Sequence, residues 1–206
     1  MIQQWIENFS PKDSLPGDMV QFLKLHGHPK TAAHCHAVGK KAAEIARQYA
    51  ADPRQAQTAG WLHDISAVIP NPERLEFARA HNLEILTEET AFPMLLHQKI
   101  SVVLAQQIFN VTDPTILSAI GCHTTLKPQS SLLDRVVFLA DKIAWDQPGQ
   151  PPYLPELLAA LETSLDNAIL VYLDYLWEIL ATSGVRHPWF IQARNELHAS
   201  STAGSF

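Results

Sequence analysis

Apolar residues recur every three to four positions through most of this chain, and no stretch alternates apolar and polar residues over a β-branched run. That pattern predicts an all-α fold. The expected helices run from Met19 to His26, Lys30 to Ala50, Pro53 to Ile65, Pro72 to Asn82, Pro93 to Phe109, Pro114 to His123, Ser131 to Trp145, Pro155 to Ser183 and Pro188 to His198. Asp52-Pro53, Asn71-Pro72 and Asp113-Pro114 each supply an N-cap side chain followed by the residue best suited to a first helical turn. Gln55 is placed to complete a capping box with Asp52, and Gly184 to stop the longest helix.

The same periodicity carries six polar residues onto apolar faces. His34 aligns with Val38, Ala42 and Ile45, His63 follows Ala56 and Ala59, and His97 precedes Ile100 and Leu104. His123 follows Ile116 and Ala119, Asp141 lies between Val137 and Ala144, and Asp64 adjoins His63. An unpaired polar group in such a setting costs roughly 2–7 kcal/mol, so something must compensate all six. One or two divalent cations do so most simply. Four imidazoles and two carboxylates without a thiolate suit iron, manganese, zinc, nickel or cobalt in an open site better than a closed structural zinc site.

Composition narrows the partners. The chain has 206 residues, 47% of them hydrophobic, and a net charge of −6, with no dense Lys/Arg run for tracking phosphates along a nucleic acid polymer. The apolar stretch from Leu165 to Leu180 is interrupted by Asp166, Asn167, Asp174 and Glu178, which excludes a membrane span. Cys35 and Cys122 lack a disulfide framework spacing and read as core fillers. With an N-terminus that carries no basic-then-apolar signal, they lead to the expectation of a cytoplasmic protein. Pro148-Gly149-Gln150-Pro151-Pro152 is the strongest breaker and divides a core from its cover, and the tail from Ser200 to Phe206 is polar enough to fray.

The segments HCHAVGKKAAEIA, WLHDI and LADKI, spanning roughly His34 to Trp145, resemble the H…HD…D pattern of the HD-domain metal-dependent phosphohydrolases. The further histidines in LLHQKIS and AIGCHTT resemble those of the YqeK group of that superfamily, the symmetric dinucleoside tetraphosphate hydrolases. This resemblance implies a single HD-type domain over residues 1–206, with a metal-binding core at about 28–147 and a C-terminal helical pair covering it at about 153–199. It also implies two divalent ions, iron favoured. His34, His63, Asp64 and Asp141 would hold the first, and Asp64, His97 and His123 the second, with Asp64 bridging. Asp64 and His63 thereby carry the catalytic weight. The implied reaction is attack of metal-activated water on a small nucleotide, releasing two nucleoside diphosphates.

Two departures from the family pattern stand out. The lysine often found three residues after the HD aspartate is Ala67 here, and Thr31 stands near the position of an arginine sometimes found before the first histidine. Lys142 beside Asp141 and Lys30 upstream of His34 are the candidate replacements for phosphate binding, and Thr124 is a third candidate against its ordinary helix-ending role. The competing readings are a nucleotide phosphomonoesterase or other HD hydrolase, since fold and metals do not fix which phosphorus is attacked, and a catalytically weak nucleotide-binding regulatory protein. Ala67 favours the regulatory reading, and the complete set of six ligands opposes it.

Among the remaining histidines, His36 faces away from the Val38 stripe, while His26, His28, His81, His187 and His198 read as surface or loop residues. The tryptophans, including Trp61, Trp145, Trp177 and Trp189, read as core or interface anchors, with one free to stack on a base. The apolar surface around Tyr172, Tyr175 and Trp177 is the candidate contact for a homodimer.

Overall fold

Aspartate-proline pairs start two helices at the same end of the molecule. In a computed structural model describing residues 3–12, 14–183 and 185–203, Asp52 accepts from the amides of Arg54 and Gln55 at 2.7 and 3.2 Å, and Asp113 accepts from the Thr115 amide at 2.8 Å. Gln55 does not close the expected capping box. Its amide nitrogen reaches across to Asp113 Oδ2 at 2.9 Å, tying the two helix starts together. The elements are α1 (Gln3–Ile6), α2 (Leu15–Leu25), α3 (Pro29–Gln48), α4 (Pro53–Leu62), α5 (Arg74–Ala80), α6 (Thr87–Ala91), α7 (His97–Gln107), α8 (Pro114–Cys122), α9 (Leu132–Ile143), α10 (Leu154–Leu161), α11 (Leu165–Ser183) and α12 (Pro188–Ala203). Short 3₁₀ turns occupy Ile65–Val68, Asn71–Glu73 and Pro93–Leu96, and the described residues include no strand.

Several expected boundaries shift for local reasons. Asn71 lies inside a 3₁₀ turn and makes no side-chain cap, so α5 starts later than the Asn71-Pro72 pair suggests. The stretch from Pro155 to Ser183 is two helices, and the C-terminal cover is three helices rather than a pair. Their break has a cause: the Leu161 carbonyl is taken by Gln48 Nε2 at 2.9 Å and by the Tyr49 hydroxyl at 2.5 Å, while Ser164 Oγ accepts from the Asn167 amide at 3.2 Å and opens the next helix. Gly184 and the end of the tail lie outside the described residues.

Helix α3 packs against α4 and α9, α4 and α9 both meet α8, and α7 closes on α8, while α11 lies over α9 and is flanked by α10 and α12. Phe22, Val38, Leu62, Ile100, Ile120 and Phe138 are fully buried members of one apolar cluster shared by these helices. No helix among the described residues is long and apolar enough to cross a membrane.

Helices α3 and α4 approach closely where Gly39 and Gly60 face each other. A Cβ on Gly60 would lie 2.7 Å from Gly39 Cα, which is backbone and cannot yield without moving a helix. Gly60→Ala is therefore expected to cost about 1–3 kcal/mol through overpacking. By calorimetry that is a fall in Tm of roughly 2–4 °C per kcal/mol. An unchanged Tm would show that the two helices separate freely.

Candidate metal centre

The tied starts of α4 and α8 decide where their ends fall. The two helices run side by side in the same direction, and each is followed at its C-cap by a histidine, His63 and His123, whose ring centroids lie 4.7 Å apart. His34 and Asp141 come from within α3 and α9, His97 is the first residue of α7, and Asp64 precedes the 3₁₀ turn Ile65–Val68. Only His34 and Asp141 thus sit on helix faces as expected. The other four project from helix ends: His63 and His123 at C-termini, where loose carbonyls favour a positive charge, and Asp64 and His97 at the starts of the elements that follow.

All six side chains converge. His34 Nε2 lies 3.0 Å and His63 Nε2 3.4 Å from Asp141 Oδ1. His63 Nε2 lies 3.6 Å from Asp64 Oδ2, while the Nε2 atoms of His97 and His123 lie 3.4 Å from Asp64 Oδ1 and 3.0 Å from each other. Asp64 turns Oδ1 towards His97 and His123 and Oδ2 towards His63. Donor atoms of His34, His63 and Asp141 form one set within 4.8 Å of one another, and those of His63, Asp64 and His123 form another.

Three of the imidazoles are oriented by the same device. Nδ1 of His63, His97 and His123 donates to the carbonyl three residues back, on Gly60, Met94 and Ile120, at 2.8, 2.6 and 2.8 Å. With the proton committed to Nδ1, each Nε2 carries a bare lone pair aimed at the centre. His63 Nε2 is buried without any hydrogen-bond partner among the described residues, and His34 Nδ1 is buried and unpartnered too. Lone pairs facing lone pairs and carboxylates at 3.0–3.6 Å repel unless a cation lies between them. The donors therefore fit a divalent metal in type, tautomer and spacing.

The electrostatics agree. Burial opposes ionisation of Asp64, but His63, His123 and His97 outweigh it and hold the carboxyl far below the usual range. Asp141 is likewise low: burial is overcome by Lys142, whose Nζ lies 2.6 Å from Oδ2, and by His34 and His63. Burial pushes His97 down to about 4, against Asp64, and lowers His123 as well, so both imidazoles are neutral at pH 7 and free to coordinate. His63 goes the other way. Burial lowers it, yet Asp64, Cys35 and Asp141 raise it well above the ordinary imidazole value, so this point of the centre favours a positive charge.

The other candidates separate clearly. Lys142 is no solvated helix residue: it is locked to Asp141, lies over the rings of Phe138 and Tyr172, and its pKa is raised. Lys30 is exposed on α3 and does not line the cavity of about 340 Å³ beside His34, Asp64 and Asp141. That cavity is walled by Thr31, Lys142, Tyr153, Tyr172 and the largely exposed Trp145. Thr124 Oγ1 donates to His97 Nε2 at 2.8 Å and faces a second, apolar cavity of about 290 Å³ that also reaches Tyr172. Ala67 is half-buried and brings no charge.

Gln98 escaped the sequence reading. Its Oε1 accepts from the amides of Thr124 and Thr125 at 3.1 and 3.3 Å, clamping the turn after His123 to the helix that carries His97. His187 lies in the loop before α12, as expected, but not on the surface: it is 3% exposed and lies 3.4 Å from the fully buried Glu89. His36 is exposed, and Cys35 and Cys122 are buried and free, as expected.

The HD domain family model matches residues 31–146, a stretch that contains all six converging side chains. The chain belongs to this family. An uncharacterized protein of Lactococcus lactis subsp. cremoris is 48% identical over 69% of this chain and 72% of its own length. The symmetrical bis(5′-nucleosyl)-tetraphosphatase of Bacillus subtilis is 31% identical over 66% of this chain and 73% of its own. A Mycoplasma genitalium protein named a probable nicotinate-nucleotide adenylyltransferase/Ap4A hydrolase is 29% identical, and the chain spans 47% of its length. Among solved structures, a Clostridium acetobutylicum protein described as a predicted HD superfamily hydrolase involved in NAD metabolism superposes with a TM-score of 0.82 at 27% identity, over 89% of this chain and 97% of that one. The HD-type fold and its hydrolase class thus hold for this chain, and the resemblance read from H…HD…D extends to symmetrical tetraphosphatases.

Proposed function

We propose that this HD-domain hydrolase cleaves a dinucleoside tetraphosphate symmetrically, giving two nucleoside diphosphates. The reading rests on one observation: three Nε2 lone pairs fixed by Nδ1–H donation converge on shared carboxylates, near two cavities that both have Tyr172 in their walls. His34, His63, Asp64 and Asp141 would hold one divalent ion, and Asp64, His97 and His123 would hold a second, with iron favoured. Two such ions lower the pKa of water and neutralise phosphoryl oxygens as charge develops. The names of the Bacillus and Mycoplasma relatives support the substrate class.

The chain's own residues perform the remaining tasks. The carbonyls of Gly60, Met94 and Ile120 keep the imidazoles in one tautomer, so no reorganisation is required when substrate arrives. Lys142 keeps Asp141 ionised and oriented. The two cavities offer places for the two nucleoside arms, one walled by Trp145 and Tyr153, the other by Phe92, Met94, Thr124 and Leu176. In the balanced reaction one water adds to a central phosphorus, the bond from that phosphorus to the bridging oxygen breaks, and the leaving diphosphate keeps the oxygen. The domain acts as one small-molecule enzyme over residues 1–206.

Product analysis tests this directly. Incubating the metal-loaded protein with dinucleoside tetraphosphate is expected to yield diphosphate alone. Mono- plus triphosphate would place the cut elsewhere, and tight binding without turnover would assign a regulatory role instead.

A further inference from the structure

Arg74 opens α5 at the edge of the metal centre, and its guanidinium is held in an unusual way. Nε donates to the Ile69 carbonyl at 3.3 Å and Nη1 to the Met94 carbonyl at 3.1 Å. The Met94 carbonyl is also the acceptor for His97 Nδ1, at 2.6 Å. One backbone oxygen thus fixes both a proposed metal ligand and a cation. Those two bonds use two of the five N–H groups of the guanidinium, and among the described residues no carboxylate lies within 4.0 Å of it to use the rest. Arg74 is half-buried.

The other nearby cations are committed or remote. Lys142 is paired with Asp141 at 2.6 Å, Lys30 is exposed on α3, and Ala67 has no charge. Asp64 and His97 both feel the Arg74 charge, which places it on the His97 side of the centre. Burial lowers the guanidinium pKa and Asp64 opposes that, so the group stays charged. A fixed, half-desolvated fork with unused donors next to a phosphate-processing centre has one matching ligand class, a phosphate oxygen pair.

We infer that Arg74 binds a phosphate group of the nucleotide at this centre and supplies the cation that Ala67 lacks. The inference rests on the reading above only for the length of the polyphosphate. Any nucleoside diphosphate would engage the fork.

Arg74→Gln tests it, because glutamine can still donate to a carbonyl but carries no charge. Three probes are titrated calorimetrically into metal-loaded protein: ADP, inorganic pyrophosphate and adenosine. Metal content is measured in parallel. The expected result is a loss of roughly 10–100-fold in affinity for ADP and pyrophosphate, with adenosine binding and metal content unchanged. Addition of free guanidinium ion is expected to restore part of the ADP affinity. Unchanged ADP affinity overturns the inference. So does loss of metal together with ADP, which would make Arg74 a support for His97 alone. A wild-type protein that fails to cleave dinucleoside tetraphosphate while Arg74→Gln still loses ADP affinity would remove the proposed substrate and keep the phosphate contact.

Discussion

Asp64→Asn is expected to release the metal and to lower hydrolysis by about a thousandfold or more, equivalent to about 4 kcal/mol of transition-state stabilisation. The reason is geometric. Asp64 alone turns separate oxygens towards both halves of the centre, with Oδ1 3.4 Å from His97 and His123 and Oδ2 3.6 Å from His63. Asparagine keeps the shape but loses the charge that would offset bound metal and presents an N–H₂ where a lone pair is required. Metal analysis of the purified variant and initial rates on dinucleoside tetraphosphate check the two effects together. His36→Ala is the matched control, since His36 is exposed on the same helix as His34 and is expected to leave both readouts intact. An Asp64→Asn protein with full metal and full rate would remove Asp64 from the bridge.

The second large effect is on stability and lies away from the chemistry. Lys99 Nζ lies 2.8 Å from Glu89 Oε2 and donates to the Glu84 carbonyl at 2.9 Å, under the ring of Trp189 at 4.9 Å. Glu89 is fully buried, also accepts from the Leu86 amide at 2.8 Å, and faces His187 at 3.4 Å. This network joins α6, α7 and the start of α12. Lys99→Met leaves a buried carboxylate without its cation, a loss of about 3–5 kcal/mol. At roughly 2–4 °C per kcal/mol for a chain of this size, the melting temperature should fall by about 6–20 °C.

The pH dependence separates this cause from simple repacking. Burial favours protonated Glu89, but His187, the Leu86 amide and Lys99 outweigh it and lower its pKa in the folded protein. A carboxyl depressed on folding adds stability above its unfolded value of about 4.3 and loses it as pH falls through the folded value. Without Lys99 the folded pKa rises, and protonation relieves the unpaired charge. The gap in Tm between wild type and Lys99→Met is therefore expected to be wide at pH 7 and to narrow below about pH 4. A gap independent of pH would assign the loss to packing.

Much of the centre was legible because its donors follow local rules. Asp52-Pro53 and Asp113-Pro114 mark where α4 and α8 begin, and helices of similar length bring His63 and His123 to the same level. His34 was separable from His36 because one follows the apolar stripe and the other does not. Arg74, Gln98 and the His187–Glu89 contact were not legible. Each acts across a gap of at least 20 residues, and an arginine at a helix start or a histidine before proline looks the same in sequence whether it is solvated or engaged.

Helical periodicity, proline-capped starts and the absence of any β pattern determined from the sequence alone that this chain is a bundle, and which residue types could serve a metal. Those are consequences of short-range backbone sterics and of the spacing of apolar side chains. Which nitrogen of each imidazole faces inward, how the Arg74 guanidinium is held, and where one long apolar stretch breaks into α10 and α11 were decided only in the folded chain. A hydrogen bond depends on a partner brought near by packing, and nothing in the order of residues around His97 or Arg74 reveals that both lean on the carbonyl of Met94.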